Sequence, residues 1–67
     1  MTLQETLEWL YSREINCGLS SFWDGGWEVS IGDKSNGFKT QTMVNALADV
    51  GPWLVEQANK FYPVVAE

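Results

Sequence analysis

The stretch SSFWDGGWEVSIGD, Ser20 to Asp33, decides how this chain folds. Trp27, Val29 and Ile31 alternate with Glu28 and Ser30, the period of a half-buried strand. Ser20–Trp23 forms a second strand across the turn Asp24-Gly25-Gly26. Loop length sets the pairing, and a one-residue change sends every side chain to the other face. A two-residue loop places Phe22 beside Trp27 and Val29 and turns Trp23 outward. A three-residue loop, Asp24–Gly26 with a left-handed glycine, pairs Trp23 with Trp27 instead. Leu19 is apolar and Ser20 polar, so the first strand's own alternation favours the three-residue loop. The expected core then holds Leu19, Trp23, Trp27, Val29 and Ile31. Phe22 joins Ser20, Glu28 and Ser30 on the opposite face.

The flanking segments read as helices. Thr2 and Glu5 have the spacing of a capping box, in which two otherwise unpaired amides are satisfied reciprocally. Leu3, Leu7, Leu10 and Tyr11 follow as an apolar stripe, and the helix is expected to end near Arg13 or Glu14. Trp9 is the misfit, since at ~100° per residue it points away from the leucines. Beyond Ile31, Gly32–Gly37 (GDKSNG) reads as a second turn, and Phe38–Gln41 as a short third strand. Leu47, Val50, Leu54, Ala58 and Phe61 return to helical spacing, with Asn45 as N-cap and Pro63 as the stop. Gly51-Pro52 interrupts that pattern. Either the helix kinks at the proline, or a short turn ends at Val50 and the main helix begins with Pro52. The apolar stripe keeps its phase across the proline, which favours one kinked helix.

The order helix, three strands, helix gives an α+β fold: α-β-β-β-α, a three-stranded antiparallel sheet with two helices on one face. At 67 residues the chain is expected to be a single domain, 1–67. A chain this short buries roughly 60% of its unfolded surface and is marginal alone. One cysteine excludes an internal disulfide, and the absence of histidine excludes the usual zinc sites. Stability must come from packing or from a second subunit.

The net charge of −5 suits neither phosphate backbones nor anionic membranes. Nothing approaches the ~20 apolar residues of a membrane span. The N-terminal sequence lacks the basic region of a signal peptide, so a cytoplasmic location is expected, compatible with the lone thiol Cys17. Without histidine, Ser/Cys–His catalysis is excluded. The glycine turns lack the patterns and the strand-to-helix setting of phosphate loops, and DKSNG lacks the spacing of a calcium loop. No enzyme activity and no cofactor or metal are expected. The candidate site residues are Trp9, Phe22 and Glu28, with the surplus aromatics as contacts for a protein partner. A second copy is a natural form of that partner.

The same element order occurs in double-stranded RNA-binding domains, a resemblance in topology alone. Those domains carry lysines at the start of the last helix. Here that region reads NALADVGPW, Asn45–Trp53, with Asp49 and no cation. RNA binding, with Phe22 stacking on a base, is therefore the alternative to protein binding. The motif SFWDGGWEVSIGD…NGF, followed by WLVEQANKFYP, resembles a set of small uncharacterised proteins of α-proteobacteria and their phages. These share an S-F-W-D-x-G-[WF]-x-V-x-[LI]-G-D…N-G-F core and a W-L-x-x-Q-A…Y-P ending. The resemblance covers about Ser21 to Pro63. It implies a bacterial or phage origin, with a phage or mobile element as one source, and implies no activity. The chain departs from that group at DVGPWL, where the others read as uninterrupted helix.

Overall fold

The computed structural model describes residues 1–32 and 39–63. The expected turn at Gly32–Gly37, beyond Gly32 itself, and the start of the third strand at Phe38 lie outside the described residues. The element order is α1 (Leu3–Ser12), β1 (Cys17–Phe22), β2 (Gly26–Ile31), β3 (Thr40–Val44), a single 3-10 turn (Leu47–Asp49) and α2 (Val50–Phe61). The three strands form one antiparallel sheet in the order β1-β2-β3. This is the α+β fold read from the sequence.

α1 begins with the expected capping box. Glu5 N–H donates to Thr2 Oγ1 at 3.1 Å, and Thr2 N–H donates to Glu5 Oε1 at 2.8 Å. The backbone hydrogen bond from Thr2 holds the Glu5 carboxyl below its ordinary pKa, because the charged form is the better acceptor. The buried stripe runs through Thr6 and Leu10, with Leu3, Leu7 and Trp9 packed at the margins of the core. Thr6 is only 1% exposed. Its hydroxyl donates to Thr2 O at 3.0 Å, so the polar group is satisfied inside its own helix. Burial of Thr6 rotates the stripe toward Trp9, and Tyr11, expected in the stripe, is 87% exposed instead.

The end of α1 is a Schellman motif. Ile15 N–H reaches back to Leu10 O at 3.0 Å, and Glu14 N–H to Tyr11 O at 3.1 Å. The motif needs a left-handed residue between them, and Glu14 takes that role at φ 60. Leu10 and Ile15, the apolar pair that accompanies such a cap, are both buried.

The hairpin corrects the expected register. The loop has three residues, but they are Trp23–Gly25, one position earlier than expected. Phe22 pairs with Gly26, Ser21 with Trp27, Leu19 with Val29 and Cys17 with Ile31. The pairing differs from the expected one by two residues, so each side chain keeps its face while its partner changes. Phe22 lies on the outer face, as expected. Trp23 leaves the sheet for the turn and is 98% exposed, and Leu19 is 39% exposed; neither belongs to the core. The reason lies at Gly26, at φ 95. A Cβ there would sit 2.4 Å from the carbonyl oxygen of Val44 on β3. Only glycine fits this close approach, so Gly26 belongs to the paired strand and the turn falls before it.

The core comprises Leu10, Ile15, Val29, Ile31, Val50, Leu54 and Ala58. Both helices contribute to it on the inner face of the sheet. The helices approach closely where Gly51 meets Thr6; a Cβ at Gly51 would lie 3.4 Å from Thr6 Oγ1. The single kinked helix expected across Pro52 is not formed. A 3-10 turn ends at Asp49, and α2 starts at Val50, with Pro52 as its third residue. Amides in a first turn have no intrahelical acceptor, so the proline displaces no hydrogen bond. Asn45 is not an N-cap. Ala46 precedes the 3-10 turn and Asp49 precedes α2, neither with a side-chain cap.

Two substitutions test these local arguments. Glu14→Gly should stabilise the fold by about 0.5–1 kcal/mol, because glycine relieves the left-handed strain. A thermal melt should move up by about 2–8 °C. Gly26→Ala should destabilise by about 2–4 kcal/mol, combining backbone strain with overpacking against Val44. Gly25→Ala is the control, since its nearest neighbour, Phe22 Cβ, would be 3.8 Å away. Denaturant unfolding of the three variants separates these outcomes.

Candidate functional site

The glycines that set the turn also fix the backbone that carries its aromatic residues. Gly25 N–H donates to Phe22 O at 2.9 Å, closing a tight turn around Trp23 and Asp24. Trp23 therefore projects from the hairpin tip. Trp9, Trp27 and Trp53 all pack against the core, so Trp23 is the one tryptophan presented to solvent. Phe22, beside it on the outer face, is 46% exposed. Trp27 enters from the opposite strand, and Asn45 comes from the chain leaving β3. Together with Ser21 and the turn, these residues line an open groove of about 530 Å³.

The sequence-derived candidates do not form one site. Phe22 and Glu28 share the outer face, where Glu28 is half-buried between its cross-strand partners Ser20 and Met43. Met43 is 48% exposed and extends the apolar character of that face onto β3. Trp9 lies apart. It packs on the core from α1, and the Arg13 guanidinium lies 4.9 Å from its ring centroid. The Nη2 group of Arg13 donates to the carbonyl of Tyr62. Trp9 thus serves with Arg13 to bind the end of α2 to α1, and is half-buried rather than free. The residue missed by sequence reasoning is Trp23. Its signal was available in the run Phe22-Trp23-Asp24-Gly25, since a residue one position before Asp-Gly readily falls into the turn.

The charge at the tip comes from one acidic residue. Asp24 is exposed within the turn. Arg13 is engaged by Trp9 and Tyr62, while Lys60 lies 5.2 Å from the Phe61 ring on α2. No cation cluster faces the groove among the described residues. Nor does any group of His, Cys, Asp or Glu among them have the arrangement to hold a metal ion. Cys17 is exposed on β1, and partial burial pushes its thiol above the ordinary value. At neutral pH it is the protonated, weakly nucleophilic form. No helix among the described residues is long and apolar enough to cross a membrane.

No protein-family model matches this chain, and neither does any curated protein or solved structure.

Proposed function

We propose that this chain is a small acidic, non-enzymatic protein-interaction module of adaptor or inhibitor type, which engages its partner through the aromatic hairpin tip. The observation that carries this reading is the exposure of Trp23, 98%, on a turn whose geometry is held by Gly25 and Gly26. Exposing a tryptophan forgoes about 1.5–3 kcal/mol or more of burial. The ordered turn backbone lowers the entropy cost of presenting this side chain to a partner, and tryptophan is enriched among the residues that dominate interface energies. Phe22 adds apolar area beside it, and Glu28 and Asp24 add negative charge. The complementary partner surface is an apolar pocket with a basic rim. The module acts in the cytoplasm, where the exposed Cys17 remains reduced.

RNA binding is the weaker reading. A stacking role for Phe22 would need cations to follow the phosphates, and Arg13 is held away from the outer face by Trp9 and Tyr62.

The test is affinity capture from a lysate of the source organism, followed by titration of the recovered partner. Trp23→Ala should change folding stability by no more than about 0.5 kcal/mol and weaken partner binding roughly thirtyfold or more. Equal binding by wild type and Trp23→Ala would remove the tip from the interface. Saturable binding of RNA that falls steeply with salt would replace protein binding by the alternative.

A further inference from the structure

β1 is an edge of the sheet, and all six of its residues are exposed. Edge strands are ordinarily defended by lysine, proline, a bulge or an inward charge. The sequence CGLSSF, Cys17–Phe22, has none of these residues, and its pairing with β2 runs without a bulge. The direction of its backbone groups follows from one hydrogen bond. Gly32 N–H donates to Asn16 O at 2.7 Å, so Asn16 faces β2. Backbone direction alternates along a strand, so Gly18, Ser20 and Phe22 also face β2. Cys17, Leu19 and Ser21 turn outward, and their three N–H and three C=O groups lie along the free edge.

The occupant of this edge follows from symmetry and charge. In an antiparallel pair, opposed residues either both point at each other or both point away. A second β1 related by a two-fold axis must therefore oppose odd-numbered residues to odd-numbered ones. Centring on Leu19 sets Leu19 opposite Leu19 and Cys17 opposite Ser21, and this register pairs every outward backbone group of both copies. It also sets the partly exposed Leu19 side chains against each other on the inner face. The chain carries a net charge of −5, yet β1 carries none, so the seam escapes the repulsion between two acidic molecules. We propose that two copies of this chain associate through β1, antiparallel about Leu19, in one continuous six-stranded sheet with all four helices on the same face. The hairpin tips lie outside the seam, so Trp23 remains free in the dimer.

Sedimentation equilibrium of the full chain, from micromolar to millimolar concentration, reads the association directly. Leu19→Pro removes an outward N–H that β2 does not use, and proline is tolerated at such an edge position. The expected result is a wild-type dimer and a Leu19→Pro monomer with an unchanged far-UV circular dichroism spectrum. The register is read by Ser21→Cys under diamide oxidation. In this dimer the new thiol lies opposite Cys17 of the second copy, within disulfide range at a Cα separation of about 5.5 Å. Ser21→Cys should give a covalent dimer. The wild type should not, because its two Cys17 residues lie about 13 Å apart along the seam. A wild type that stays monomeric at millimolar concentration overturns the proposal. So does a dimer that survives Leu19→Pro, or cross-linking through Cys17 alone that Ser21→Cys does not increase. If Leu19→Pro fails to fold, the cross-linking result decides. A monomer that still binds its partner through Trp23 would refute the dimer and leave the tip's function standing.

Discussion

Burial of Val29 and Ile31 beneath Leu10, Val50, Leu54 and Ala58 is the interaction on which the rest of the molecule depends. Each fully buried aliphatic side chain of this size contributes about 1.5–3 kcal/mol, and the chain has few of them. α2 packs on β2, α1 packs on α2, and the central strand receives the cover. β1 is paired through its backbone but not covered by side chains. Its exposure on both faces is a consequence of how little apolar surface a 67-residue chain has to distribute.

The ends of the elements show how that small core is kept in register. The capping box at Thr2 and Glu5 starts α1, and the Schellman cap at Arg13–Ile15 ends it by directing Ile15 into the core. The second helix starts where the 3-10 turn stops, with Pro52 in a position that requires no amide donor. Gly26 lets β2 start close against the carbonyl of Val44. A side chain there would push apart two strands of the sheet that carries the core, whereas at Gly51 a Cβ would only reach ordinary contact with Thr6.

These constraints also account for the exposed aromatic surface. With Gly26 held inside the paired strand, the turn must begin at Trp23, and the tryptophan is carried beyond the reach of either helix. The projecting tip and the open edge of β1 are therefore two results of one limitation: the helices cover the centre of the sheet and leave its first strand and first turn bare. A protein partner at the tip and a second copy along the edge would each bury surface that this chain cannot bury by itself.

The sequence by itself determined the order helix, three strands, helix and the alternation of faces along the hairpin strands. Those follow from periodicity, capping residues and glycine positions, which are local properties of Thr2, Glu5, Phe22, Val29 and Ile31. It also identified Phe22 and Glu28 as outer-face residues. Only the tertiary structure decided the two-residue shift in the hairpin, the exposure of Trp23 and Leu19, the half-burial of Trp9 and the break before Val50. The shift depends on the approach of Gly26 to Val44, residues 18 positions apart in sequence on neighbouring strands. Trp9 is set by Arg13, which the carbonyl of Tyr62 holds from the other end of the described residues. Each is a contact between segments distant in sequence, where hydrophobic spacing along one segment carries no information about how closely another backbone will approach.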